Sequence, residues 1–152
     1  MVNEGARVLI VGGSSGMGLA LARSCLDDGA SVMVVGRDEG KLTAARESLG
    51  DPPALRTAAV DCTSEPQVAG LFERSGELDH IVSTAADIQG AYELLSELDM
   101  VAAQRAIASK VLGPLLLAKH GARRLAAAGS ITFTSGIAAY RPMARGSVVA
   151  TI

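Results

Sequence analysis

The feature that most restricts what this chain can fold into is a glycine-rich loop, Val11-Gly12-Gly13-Ser14-Ser15-Gly16-Met17-Gly18, set between a short apolar run and a stretch of helical period. Glycines at 12, 16 and 18 permit a tight turn out of a strand, close approach of backbone to a diphosphate, and close packing of the next helix on that strand. The amides that open such a helix, with the helix dipole behind them, form an anion site. Ser14 and Ser15 add hydroxyl donors, and Met17 lies in the opening turn. A Gly/Ser-rich turn without a ligand is the other reading of a glycine triplet. The placement of this one, after a first strand and before a first helix, favours a nucleotide.

Four apolar or β-branched runs, Arg7–Val11, Ser31–Val35, Leu55–Val60 and Asp79–Ser83, open at intervals of about 24 residues. That interval holds a strand, a crossover helix and two tight loops. Between the runs, Met17, Leu21 and Cys25 share one helical face, as do Leu42, Ala45 and Leu49, and then Val68, Leu71 and Phe72. Ser64 with Gln67 three residues later reads as a capping box opening the third helix, and Gly29 and Gly50 fall where helix C-termini are expected. Nearly continuous apolar strands, each followed by a helix, predict a parallel sheet covered on both faces, an α/β fold. From Leu94 to Leu125 the sequence is mostly helix-forming, with Pro114 expected to kink or divide it, and a fifth strand is expected at Ser130–Thr134. The 152 residues make one domain, 1–152, and with 3% aromatic residues and no Trp its core must be built from Val, Ile, Leu and Ala.

Lys and Arg total 14 against 16 Asp and Glu, which leaves no cationic excess for a nucleic-acid or anionic-membrane surface. Cys25 and Cys62 have neither metal-ligand spacing nor the density of a disulfide scaffold, so they read as reduced thiols. His80 and His120 stand apart and are expected to be structural or surface residues, with no zinc site. The N-terminal residues up to Arg7 carry Glu4 and lack the layout of a secretory signal. No apolar stretch approaches the roughly 18 residues of a membrane span. A soluble cytoplasmic protein is expected.

The nucleotide class narrows by elimination. A P-loop needs a Gly-Lys-Ser/Thr ending, and no lysine precedes Lys41. A methyltransferase-type site wants a carboxylate at the end of strand two, where this chain has Gly36 followed by Arg37. An NAD site likewise places Asp or Glu near that point for the ribose 2′-hydroxyl, whereas an NADP site places a cation there for the 2′-phosphate. Arg37 fits NADP, with NAD the lesser fit, although Asp38 is adjacent and Arg37 is otherwise an ordinary solvated charge.

Together these landmarks resemble the short-chain dehydrogenase/reductase family. Gly12-x-x-x-Gly16-x-Gly18 is that family's variant of the fingerprint, Asp61 after strand three matches its adenine-contacting acid, and Ile131–Ser135 is similar to its fifth strand ending in the catalytic serine. The resemblance runs from Arg7 to Ile152. It implies a Rossmann-type doubly wound sheet of order 3-2-1-4-5, lacking the C-terminal part of the usual fold. It also implies an oxidoreductase passing hydride between NADP(H) and a small carbonyl or alcohol. The implied cofactor contacts are Gly12, Ser14, Ser15, Gly16, Met17, Gly18, Arg37, Asp61, Cys62, Ala85 and Ala86. Homo-oligomers built through the region Leu94–Leu125 are expected as well.

The chain departs from the family at the chemical positions. The family's strand-four Asn-Asn-Ala-Gly is here Ser83-Thr84-Ala85-Ala86, and its helix asparagine is Lys110, either an active-site cation or an exposed helix charge. Ser135 is retained, as a substrate-positioning hydroxyl or as a strand-end hydroxyl satisfying backbone. The family's usual interval from this serine to its Tyr and Lys reaches Val148 and Ile152, neither of which moves a proton. Tyr140 lies too close to Ser135 and has Ala144 four residues on. Ser135 and Lys110 are therefore the catalytic candidates. Two functions stay open: an oxidoreductase with a rearranged proton donor, and an NADP(H)-binding, non-catalytic relative. Because the family's later helix and pocket follow this region, the chain is expected to belong to a longer polypeptide or to depend on association, its fifth strand being an unprotected edge.

Overall fold

A computed structural model describes residues 2–141 and 143–152. Five parallel strands, β1 (Arg7–Val11), β2 (Ser31–Gly36), β3 (Leu55–Ala59), β4 (Leu78–Ser83) and β5 (Leu125–Phe133), form one sheet in the order β3-β2-β1-β4-β5. The helices α1 (Gly16–Asp27), α2 (Glu39–Ser48) and α3 (Glu65–Ser75) are the first three crossovers, and α4 (Met100–Ile107) and α5 (Gly113–Gly121) lie between β4 and β5. This is the expected doubly wound arrangement, and the alternation along the strands shows why. Val8 and Ile10 of β1 and Val32 and Val34 of β2 pack with Ala22, Cys25 and Leu42 on one face. Leu9 and Val11 with Met33 and Val35 pack with Val68, Leu71, Phe72 and Leu117 on the other. Strands buried on both faces must be apolar at every position, which is why β1 and β2 read as continuous runs.

Gly29 and Gly50 close α1 and α2 with φ of 82° and 81°, the left-handed conformation a helix C-terminus favours. At its start, β1 is tied to β4 by Arg7, whose guanidinium donates from Nε and Nη2 to Asp79 at 2.9 Å while its backbone N–H donates to the same carboxylate at 2.8 Å. Those bonds hold the Asp79 carboxyl down to about 2.

Three expectations need correction. The Ser64 hydroxyl does not cap α3; Gln67 instead accepts the Asp61 N–H at 2.9 Å, because the loop before the helix folds back over its first turn. β5 begins at Leu125 rather than Ser130, with an irregularity between the Leu78↔Leu125 and His80↔Ser130 pairs that small residues Ala126–Gly129 accommodate. Pro114 does not divide the long helical region. A π turn, Ala108–Leu112, precedes it, and the Gly113 N–H reaches back to the Ala108 carbonyl, so the proline sits in the first turn of α5 where its missing donor costs little. The resulting run Met100–Arg124 is long and apolar enough, by length and composition, to cross a membrane. The count of uninterrupted apolar residues missed it because Ser109, Lys110 and Pro114 break the pattern. Its inner residues, Ala103, Ala106 and Leu117 among them, are buried within the domain.

A third, smaller core forms where Val148 and Val149 pack with Ala91, Ala103, Ala106 and Ala138. His80 Nδ1 pairs with the Ser130 hydroxyl at 2.9 Å and His120 Nε2 with Glu65 at 3.0 Å, which gives both histidines structural partners. Cys25 and Cys62 are free thiols.

Candidate functional site

The order β3-β2-β1-β4-β5 places β1 between strands entered from opposite directions of winding, and the carboxyl ends of β2, β1 and β4 surround that switch point. Open α/β sheets bind ligands there. A cavity of about 350 Å³ opens at this place. Gly12, Ser14, Ser15, Gly16 and Met17 line it from the glycine loop, Arg37 from the end of β2, Asp61 and Cys62 from beyond β3, and Ala85 and Ala86 from beyond β4. Of the cofactor positions expected from the sequence, Gly18 alone stands back from the cavity, buried beneath the loop.

The three glycines do three different things. Gly12 holds φ at 80°, and a Cβ there would meet the Ala85 nitrogen at 2.7 Å, so a side chain would push the β4 loop away. A Cβ on Gly18 would lie 2.3 Å from the Gly12 carbonyl oxygen, which is what lets α1 start against the strand end. Gly16, with φ at 51°, has nothing within 4 Å on its Cβ side, so it opens the loop toward the cavity. Thr84 fixes the crossing from above: its hydroxyl bridges the carbonyls of Val11 and Gly12 at 3.2 and 3.3 Å.

Electrostatics favour an anion. α1 has neither a capping side chain nor an acidic residue in its first turn. α2, by contrast, is capped by Asp38, which accepts the Lys41 N–H at 2.9 Å, and carries Glu39 in its first turn. The α1 amides therefore keep their capacity for an external acceptor. Asp38, the acid that complicated the reading of strand two, has one oxygen committed to this cap. Lys41 lines the same cavity as Arg37 and adds a second cation. Asp61 shapes its own turn, accepting from the Thr63 N–H and hydroxyl at 2.9 and 2.8 Å. Burial pushes the Cys62 thiol up to about 12, so it is a neutral wall and not a nucleophile.

Lys110 and Ser135 do not line this cavity, although Ser109, next to Lys110, does. Lys110 sits on the π turn and is half-buried; its Nζ donates to the Thr134 carbonyl at 2.9 Å, one residue before Ser135. It is an inward-held cation, not an exposed helix charge, and desolvation lowers its pKa below the ordinary lysine value. Ser135 is exposed just past the end of β5. Tyr140 is 87% exposed, while Val148 is buried in the third core. A larger, wide-open cavity of about 700 Å³ lies beyond Asp87, but Glu93, Glu97 and Asp99 line it and disfavour an anionic nucleotide.

Among the residues lining the cavity that were not expected as cofactor contacts are Lys41, Thr84, Asp87 and Ser109. Lys41 carried a signal, since the first turn of a helix after strand two faces the same loop as Arg37. Asp87 and Ser109 carried none, because their meeting depends on how the β4 loop lies on the long helix.

The sequence model described as short chain dehydrogenase matches residues 6–151. The chain belongs to the short-chain dehydrogenase family. A short-chain dehydrogenase/reductase from Acremonium sp is 35% identical over 164 residues, covering 95% of this chain and 61% of the relative. Among solved structures, a short-chain type dehydrogenase/reductase from Mycobacterium ulcerans superposes with a TM-score of 0.87 at 28% identity, over 99% of this chain and 60% of that one. The MalC reductase/Diels-Alderase from Malbranchea aurantiaca superposes with a TM-score of 0.86, also at 28% identity, over 98% of this chain and 64% of that one. The chain thus spans about three-fifths of the length of these relatives. The family uses nicotinamide cofactors.

Proposed function

We propose that this short-chain dehydrogenase binds NADP(H) in the cavity over β1 and passes hydride between the nicotinamide and a small carbonyl or alcohol. The observation that carries the reading is the end of β2, where Gly36 and Arg37 stand in place of a carboxylate and Lys41 faces the same space. The cavity also fits the rest of a dinucleotide. Gly12 lets the glycine loop lie close against the β4 loop, Gly16 leaves open space, and the α1 amides take a diphosphate.

When bound, NADPH supplies the hydride that goes to the carbonyl carbon. The chain supplies the rest. Arg37 and Lys41 hold the 2′-phosphate, and the Ser135 hydroxyl positions the substrate oxygen. The Lys110 ammonium gives that oxygen the proton it needs to become an alcohol, which leaves a neutral amine. A lysine gives up its proton more readily when its pKa is lowered, and burial lowers that of Lys110.

A second reading, an NADP(H)-binding protein without turnover, has one observation in its favour. Val148, where family spacing from Ser135 puts the tyrosine, is buried in an apolar core and carries no proton. A panel of aldehydes and ketones with NADPH separates the two. The enzyme reading expects steady cofactor oxidation that falls about a hundredfold in Ser135→Ala, in line with the loss of one positioned polar group in a transition state. Tight NADPH binding with no turnover across the panel contradicts it.

A further inference from the structure

We infer that Asp87 is a specificity-determining residue of this site, because it competes with the ribose 2′-phosphate for Arg37. The inference rests on the proposed NADP(H) reading and extends it. Arg37 follows β2 and Asp87 lies four residues beyond the end of β4, yet Arg37 Nη1 donates to Asp87 Oδ2 at 3.0 Å. β1 lies between β2 and β4, so the ends of those two strands are about 10 Å apart. The ion pair is therefore a bar across the carboxyl end of β1, and both of its residues line the same cavity.

The two halves of the pair are unequal. Asp87 is anchored: its side chain is 18% exposed, and its backbone N–H donates to the Ser109 hydroxyl at 2.9 Å, which in turn donates to the Ala106 carbonyl at 3.1 Å. Arg37 is the moving half, with a side chain 60% exposed. The other two carboxylates lining the cavity, Asp38 and Asp61, accept bonds within their own turns. Asp87 instead reaches across the cavity to the one guanidinium that a 2′-phosphate would take. A phosphate competes with this carboxylate for Arg37 and meets its repulsion as well. A nucleotide with a free 2′-hydroxyl has no use for Arg37 and leaves the pair alone.

The test is calorimetric titration of the 152-residue chain with 2′,5′-ADP and with 5′-AMP, which lacks only the 2′-phosphate. Asp87→Asn, which keeps the backbone bond to Ser109, is expected to bind 2′,5′-ADP about two- to fivefold tighter at low salt, the scale of a partly exposed ion pair, with 5′-AMP affinity unchanged. The gain should shrink toward nothing at 1 M salt, where the screening length is about 3 Å. Should Asp87→Asn fold poorly, Asp87→Ser carries the same expectation. Unchanged 2′,5′-ADP affinity, or an equal gain for both nucleotides, overturns the competition. Arg37→Ala tells that failure from failure of the NADP(H) reading. If Arg37→Ala weakens 2′,5′-ADP while Asp87→Asn does nothing, only the competition is wrong. If Arg37→Ala leaves 2′,5′-ADP binding untouched, the NADP(H) reading is wrong and the competition goes with it.

Discussion

Lys110→Met is expected to lower NADPH-dependent carbonyl reduction by a factor of about 10² to 10⁴, the range for removal of a positioned general acid, while NADPH affinity stays within about twofold. The expectation comes from where the lysine is held. Lys110 projects from the π turn, its Nζ bonded to the Thr134 carbonyl at 2.9 Å, one residue before Ser135. Desolvation is the cause of its lowered pKa. An acid must be protonated to work, so reduction should fall as pH rises through that lowered value, at a pH below the ordinary lysine range. Lys110→Arg separates proton donation from charge. Arginine keeps the positive charge but does not give up a proton, so its variant stays slow if Lys110 is the acid and recovers if only the charge matters. A Lys110→Met enzyme that turns over at the wild-type rate contradicts the assignment.

Gly18→Ala should be the most damaging small substitution in the chain. A Cβ at 18 would sit 2.3 Å from the Gly12 carbonyl oxygen and 2.7 Å from the Thr84 hydroxyl, and the first of these is backbone that cannot swing aside. Overpacking of this kind costs about 1 to 3 kcal/mol and more against backbone, so a loss of about 3 kcal/mol is expected in urea unfolding. Gly16→Ala is the contrast. Its φ of 51° strains an L residue by about 1 to 2 kcal/mol, but nothing lies within 4 Å of the new methyl, on a residue that lines the cavity. Gly16→Ala should therefore hurt nucleotide binding more than it hurts stability, and Gly18→Ala the reverse. If Gly18→Ala is within 1 kcal/mol of wild type, the close packing of loop on strand is not what shapes this turn.

The sheet was legible because burial on both faces forces the inner positions of β1 and β2, Val8–Val11 and Val32–Val35, to be apolar, and because glycines 12, 16 and 18 have few other reasons to stand at that spacing. The cofactor end was legible for the same local reason: loop, strand end and first helical turn are neighbours in sequence. What escaped the sequence was set by distance along the chain. Asp87 meets Arg37 across 50 residues and Ser109 across 22, contacts that no local pattern announces. The early start of β5 escaped because Leu125–Gly129 is Ala-rich and reads as helix, yet pairing with Leu78 draws it into the sheet. The π turn escaped because a proline in an apolar helix predicts a break, whereas one wider turn before Pro114 absorbs it and carries Lys110 inward.

The central claim is that the space between the glycine loop, Arg37 and the β4 loop is an NADP(H) site. Calorimetric titration of NADPH and NADH into the wild type and Arg37→Ala tests it most directly. The account predicts one NADPH per chain, bound at least tenfold tighter than NADH, with Arg37→Ala cutting NADPH affinity about ten- to a hundredfold, the scale of a charge-assisted hydrogen bond, and sparing NADH. NADH bound as tightly as NADPH by the wild type, or NADPH affinity unchanged in Arg37→Ala, would contradict it.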